Sequence, residues 1–252
     1  MTAATTNLPV TREPELRGQT VVLIGGSAGI GLETARRARQ EGAAVVLVGR
    51  DPERLERVAR DVGARSTAAF DADDAAALVQ FFDDLPGPID HVLVTAGRPH
   101  YVPMLEMDAA DVHEALGGHV VQALNVARSA APKMRPGGSL LLMGGTGGRK
   151  ISRELGLFSA ATAVLPPFTA ALALQLAPVR VNLIAAGFVD TPLSASLLGD
   201  ALDARREELR TTLPIGRVVG PADIAALAVA LMTNTAVTGA TYDIDGGQQL
   251  VA

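Results

Sequence analysis

TVVLIGGSAGIG, residues 20–31, is the stretch that decides the fold. Five residues that suit a strand, Thr20 to Ile24, run into Gly25-Gly26-Ser27-Ala28-Gly29-Ile30-Gly31. An alanine- and arginine-rich helical pattern follows at once, Ile30–Glu41. A strand that ends in glycines and opens a helix has the arrangement of a dinucleotide loop. Glycine permits the tight turn, lets backbone N–H groups approach a pyrophosphate, and lets helix lie close on strand. The helix N-terminus then offers partial positive charge to the phosphates. Glycines alone carry little weight, and their place between the first strand and its helix is what points to this chemistry.

Outward from this turn, short apolar runs alternate with helical patterns along the chain. Strands are expected at 20–26, 43–50, 66–73, 89–97, 138–145, 179–187 and 240–247. Helices are expected at Ile30–Glu41, Pro52–Val62, Ala75–Phe82, Ala109–Met134, Leu155–Ala177 and Pro221–Met232. Near-continuous apolar strands separated by helices predict a doubly wound Rossmann α/β fold, its mostly parallel sheet covered on both faces. Residues 1–17 read as a flexible extension and 18–252 as one undivided domain.

Composition narrows the function. The chain is 48% hydrophobic and 19% charged, which suits a large core and excludes a disordered chain. Its net charge is −5, and Lys133 and Lys150 are the only lysines among 22 basic residues, so no nucleic-acid surface is expected. With no cysteine, disulfides and thiolate chemistry are ruled out. His91, His100, His113 and His119 lack metal-ligand spacing, so no metal is expected. The uncharged run Leu155–Val179 is long enough to span a bilayer, but Pro166-Pro167, Gln175 and its hydroxyl residues favour a buried helix. No basic start followed by an apolar core opens the chain, and a cytoplasmic protein is expected.

The second strand ends in Gly49-Arg50-Asp51. An acid at this place would take the ribose 2′-hydroxyl of NAD, whereas an arginine accommodates the 2′-phosphate of NADP. Asp51 stands where it would cap the helix beginning at Pro52, leaving Arg50 for the phosphate. NADP(H) is therefore the expected cofactor.

Further landmarks fall in order. Gly25 to Gly31 follow TGxxxGIG spacing with Ile24 in place of threonine, Val94-Thr95-Ala96-Gly97 stand where NNAG would, and Arg180-Val181-Asn182 make an RVN strand. Ala186-Gly187 with Thr191 follow PG…T, and Thr238-Gly239 with Asp245-Gly246-Gly247 follow TG…DGG. In these motifs the chain resembles the short-chain dehydrogenase/reductase family along nearly its whole length. The resemblance implies a seven-stranded sheet. It places Asp71 and the neighbouring Ala72 at the adenine, Ala96 and Gly97 along the cofactor, and Gly187 and Thr191 beside the nicotinamide.

The family's catalysis uses YxxxK, a serine thirteen residues before the tyrosine, and an asparagine on the preceding long helix. Laid against that pattern, the tyrosine is Phe158, the lysine Thr162, the serine Gly145 and the asparagine His119. Phe158 has no proton to give, Thr162 no charge and Gly145 no hydroxyl. Substitute acids are His119 and Tyr101, the latter in the region that borders the family's substrate pocket. The other reading of His119 is a hydrogen-bonded core residue filling space opened by Gly117 and Gly118. His113 reads as a solvated helix residue, His91 as a strand-edge one and Tyr242 as packed in the last strand. Pro166-Pro167 remove two backbone donors and should kink their helix beside the site. Its apolar length still suggests a homo-oligomer, dimer or tetramer.

Three functions are compatible with these residues. One is an NADPH-dependent reductase of a small apolar substrate that needs no enzymatic proton, such as an iminium, a quinone or an activated enone. A second is a non-catalytic NADP(H)-binding sensor or partner subunit. A third is a non-redox cyclase, isomerase or lyase, and fold alone cannot choose among them.

Overall fold

The computed structural model describes residues 15–97, 104–149 and 156–251. Seven parallel strands form one sheet in the order β3-β2-β1-β4-β5-β6-β7. They are β1 Thr20–Ile24, β2 Ala44–Gly49, β3 Ser66–Ala69, β4 Ile89–Val94, β5 Met134–Gly145, β6 Arg180–Ala186 and β7 Thr241–Ile244. The order reverses between β1 and β4, so their C-terminal ends open a crevice where such sheets bind ligands.

Helices cover both faces because the central strands are apolar on both. Val22, Ile24, Val92, Val94, Leu140 and Leu142 pack beneath α3 (Ala75–Asp84), α4 (Ala109–Ala130) and α6 (Leu165–Leu176). The alternate residues Val21, Leu23, Val45, Leu47, Leu93 and Leu141 pack with α1 (Gly29–Gln40), α2 (Pro52–Val62) and α9 (Pro221–Thr233). Local chemistry starts these helices. Asp51 caps α2 by accepting from the Arg54 N–H, with Pro52 in the first turn, and Gly63 closes the helix in the left-handed region. Asp74 caps α3, and Asp108 with Asp111 forms a reciprocal capping box on α4.

Several elements depart from the expectations. Residues 15–17 are held rather than loose: Leu16 is wholly buried against β1, α1 and α2, and its N–H donates to Glu41 O at 2.9 Å. Helix α4 ends at Ala130, and a short 3-10 turn carrying Pro132 leads into β5, which begins at Met134. Two unforeseen helices, α7 (Pro192–Leu198) and α8 (Leu202–Thr212), follow β6. They are tied down by Arg206, whose guanidinium donates to both oxygens of Asp190 and to Asp203.

The apolar run Phe158–Leu176, long enough by composition to cross a membrane, is broken here. It forms α5 (Phe158–Ala163) and α6, separated at Val164, with Pro166 and Pro167 in the first turn of α6. The prolines were expected to kink this helix, and the break falls two residues before Pro166.

The RVN triplet is structural. Arg180 is buried and donates to Leu231 O, Met232 O, Val237 O and Gly137 O, so it closes the C-terminal end of α9. Asn182 bonds Val237 O and the Ala240 N–H, fastening the approach to β7.

Candidate cofactor and active site

The β1–α1 turn is jammed against the end of β4. A Cβ on Gly31 would lie 2.3 Å from Gly25 O, and one on Gly25, at φ +96°, would lie 2.5 Å from Thr95 Oγ1. No other residue fits either position without moving backbone. Thr95 Oγ1 donates to the carbonyls of Ile24 and Gly25, both at 3.2 Å, and the N–H groups of Gly25 and Gly26 both donate to Val48 O. Ala28, at the N-cap of α1, is extended and brings no side-chain acceptor. The first turn, through Gly29, Ile30 and Gly31, therefore offers uncapped N–H donors with no acid beside them. This cradle fits a pyrophosphate.

Next to it, the Ser27 hydroxyl stands 3.0 Å from where a Cβ on Gly49 would be. Arg50 is exposed, its guanidinium 3.8 Å from the Asp71 carboxylate. A pair this exposed contributes ~0–1 kcal/mol, so a phosphate can take the arginine readily. Asp51 is occupied with its helix cap, as expected. Asp71 accepts from the Asp73 N–H, and the neighbouring Ala72 is buried.

Ala96 and Gly97 leave β4 beside α4. A Cβ on Gly97 would stand 2.9 Å from the His119 ring, so Gly97 is what makes room for the histidine. Gly117 does not: among the described residues nothing lies within 4 Å of its Cβ position. His119 is half-buried on a narrow cleft with Val94, Gln122, Leu142, Met143 and Leu165. Burial holds its pKa below the ordinary value, against the opposite pull of Asp73 and Glu114. It is therefore mostly neutral at pH 7, and its ring has no hydrogen-bond partner among the described residues; Gln122 instead donates to Asp73 at 2.6 Å.

Three of the four positions that the resemblance marks for catalysis come together at the end of β5. A Cβ on Gly145 would lie 3.2 Å from Thr162 Cγ2 and 3.5 Å from the Phe158 ring. Thr162 Oγ1 donates to Ser159 O at 3.0 Å, and the buried Ser159 hydroxyl has no partner among the described residues. None of the three supplies a proton or an ammonium at neutral pH. His119 lines a different cleft, with Leu142, Met143 and Leu165, which none of the three borders. Tyr101 and His100 fall outside the described residues.

On the far side of the crevice, Thr191 caps α7 and stands 3.5 Å from the Cβ position of Gly29, so the segment after β6 meets the glycine loop. Gly187 packs against Asp245 and Gln248, and Gln248 Oε1 accepts from the Phe188 N–H at 2.8 Å. Asp245, buried, accepts from the N–H groups of Gly247 and Gln249. Sequence reading missed Gln248, and also Arg149, which pairs with Asp243 of β7. Their partners are distant in the chain, and no local pattern marks them. His91 was misread as a strand-edge residue. It lies buried in β4, a central strand, between Ser139 Oγ at 2.8 Å and Gln19 Oε1 at 2.6 Å. His113 is exposed on α4, and Tyr242 is half-buried in β7.

The same layout recurs in known proteins. The sequence model of a family described as enoyl-(acyl carrier protein) reductase matches residues 25–249. The short-chain dehydrogenase/reductase ATR9 of Stachybotrys chlorohalonatus is 29% identical, the match covering 93% of this chain and 98% of that one. A short-chain dehydrogenase/reductase structure from Brucella melitensis, described as a glucose/ribitol dehydrogenase, superposes with a TM-score of 0.85. It is 28% identical, with 94% of this chain and 98% of that one covered. A small-chain dehydrogenase solved with NADPH gives 0.79 at 28% identity, covering 92% and 99%. With the glycine cradle, the crevice at the strand reversal and the match over nearly all of the sheet, this chain is an α/β protein that belongs to the short-chain dehydrogenase/reductase family of oxidoreductases.

Proposed function

We propose that this protein is an NADPH-dependent reductase whose pocket has given up the family's proton-donating apparatus. The observation that carries the reading is the Gly145, Phe158 and Thr162 cluster, which holds neither acid nor cation, in a chain whose glycine loop admits no side chain at Gly25 or Gly31. Gly25, Ser27, Ala28, Gly29, Ile30 and Gly31 would hold the pyrophosphate, Arg50 the 2′-phosphate, and Asp71 with Ala72 the adenine. Ala96 and Gly97 would line the ribose side, and Gly187 and Thr191 the nicotinamide. NADPH, when bound, supplies hydride.

The residues of the pocket then decide which acceptor is served. Phe158 and the small neighbouring side chains exclude water and favour a compact apolar body. With no donor at 145, 158 or 162, an alkoxide product would go unprotonated. An iminium carbon suits the site, because adding hydride to it yields a neutral amine with no proton required. Quinone and enone products can take their proton from water. His119, whose charged form burial disfavours, and Tyr101 are the candidate donors.

The protein is also proposed to act in the cytoplasm as a homo-oligomer, with no nucleic-acid or membrane partner. Exposed Val121 on α4 and Leu174 on α6 are apolar positions suited to contact between copies.

Calorimetric titration with NADPH and NADH tests the cofactor half. NADPH should bind at least tenfold more tightly, and Arg50→Ala should remove that preference. Transfer of label from deuterated NADPH to one face of a cyclic imine or a quinone tests the chemistry. Binding without transfer to any such acceptor would favour the sensor reading, and product formation without NADPH consumption would favour the non-redox one.

A further inference from the structure

A cavity of about 180 Å³ opens where α5 gives way to α6, lined by Gly145, Gly148, Arg149, Thr162, Pro166 and Ala185. It lies beyond the C-terminal ends of β5 and β6, on the side of the sheet where open α/β folds take ligands. Its walls are glycine, alanine, proline and threonine, and Arg149 is the one charged residue among the described residues that line it.

The Arg149 guanidinium is engaged more lightly than those of Arg180, Arg206 and Arg217. Arg180 gives its donors to four backbone carbonyls. Arg206 and Arg217 both grip a carboxylate through two nitrogens, Asp190 and Asp223 respectively. Arg149 spends a single Nη on a single oxygen of Asp243, whose other oxygen accepts from Gln249 Nε2 at 3.0 Å. The remaining N–H donors of its side chain have no partner among the described residues. A planar fork with open donors, carried by a residue that lines an apolar cavity, is suited to a carboxylate, which it can meet through two parallel bonds.

We propose that this cavity seats a compact apolar carboxylic acid, with Arg149 holding the carboxylate and Ala163, Pro166 and Ala185 facing the carbon body. A dry cavity of roughly 150 Å³ accommodates benzene, so the body is about the size of one ring or a branched chain of similar bulk. The proposal rests on the reading of Gly145 and Thr162 as a wall of the reaction pocket, and it narrows the substrate from apolar to apolar and acidic. Asp243 competes with the ligand for the same guanidinium, which makes the two residues opposite in effect.

Benzoate and its uncharged counterpart benzamide are the probes, titrated calorimetrically into the full-length protein without NADPH. Benzoate should bind at least tenfold more tightly than benzamide. Arg149→Gln should remove that advantage, while Asp243→Asn should strengthen benzoate binding severalfold by leaving the guanidinium unpaired. The gain in Asp243→Asn cannot come from misfolding, so it guards against a misfolded Arg149→Gln. Equal binding of the two probes, no saturable benzoate binding, or benzoate binding indifferent to both substitutions would overturn the proposal. NADPH titrated separately into the wild type reports on the cofactor reading, so failure of one is distinguishable from failure of the other.

Discussion

His91 should make folding stability fall as pH drops, by an amount the structure sets. Its Nδ1 meets Ser139 Oγ and its Nε2 meets Gln19 Oε1, so the ring is satisfied as a neutral imidazole, with Nε2 carrying the proton. Burial, with Arg180 adding to it, lowers the pKa from 6.5 to about 3. Between those values the unfolded chain binds a proton that the folded chain refuses. The stabilisation is therefore complete above the unfolded pKa and is lost as pH falls toward the folded one. Going from about pH 7.5 to about pH 5 should cost ~2 kcal/mol from this residue, on the way to a limit of roughly 5 kcal/mol. For a protein of this size, ~2 kcal/mol lowers the melting temperature by about 4–8 °C. The assay is urea unfolding at both pH values for the wild type and for His91→Gln, which cannot titrate. Comparing the two proteins cancels the carboxylates and His119. The variant should be less stable at neutral pH yet lose ~2 kcal/mol less on acidification. Equal pH slopes, or an NMR titration placing the folded His91 pKa near 6, would refute the reasoning.

Other substitutions test other layers. Arg50→Ala should weaken NADPH binding about ten- to a hundredfold, the worth of a charged hydrogen bond of roughly 1.5–3 kcal/mol, and leave NADH unchanged; paired calorimetric titrations read this directly. Gly31→Ala must push backbone apart to clear Gly25 O, at about 1–3 kcal/mol, and should lower both the unfolding midpoint and NADPH affinity. Leu16→Ala should cost about 2–5 kcal/mol in urea unfolding, since Leu16 is wholly buried, whereas a loose residue there would cost nothing. Arg206→Ala should speed hydrogen exchange and proteolysis across α7 and α8 without altering the sheet, and unchanged protection there would show that Asp190 is not what holds them.

The sheet was legible because β1, β2, β4 and β6 are short apolar runs bounded by glycine, and because the glycine turn announces which strand is first. The cap at Asp51 and the break before Pro166 were legible for the same reason, since each depends on residues within one helical turn. Helices α7 and α8 were not: Gly199 divides them, and α8 buries only Leu209, so no apolar stripe marks it. The start of β5 was hidden behind Pro136-Gly137-Gly138, which reads as a breaker, yet the strand carries it with a shift of register opposite Ile89 and His91. His91 was misjudged because a polar residue in a strand suggests an edge, whereas its partners Gln19 and Ser139 lie 72 and 48 residues away. Arg149 escaped notice for a similar reason: Asp243 is 94 residues distant.

The break at Val164 also sets how the site responds to heat. Helix α5 is six residues long, without a side-chain cap at either end, far below the length at which a helix holds itself in water. It persists through its packing, with Thr162 against Gly145 and Ala163 against Gly148. Its opening free energy therefore belongs to the low end of the protein's range, while α6 beyond the prolines is anchored on β6. One wall of the pocket should soften well before the sheet melts. Ligand affinity would then decline with temperature ahead of the unfolding transition, because above that softening a bound molecule must supply the free energy that orders α5.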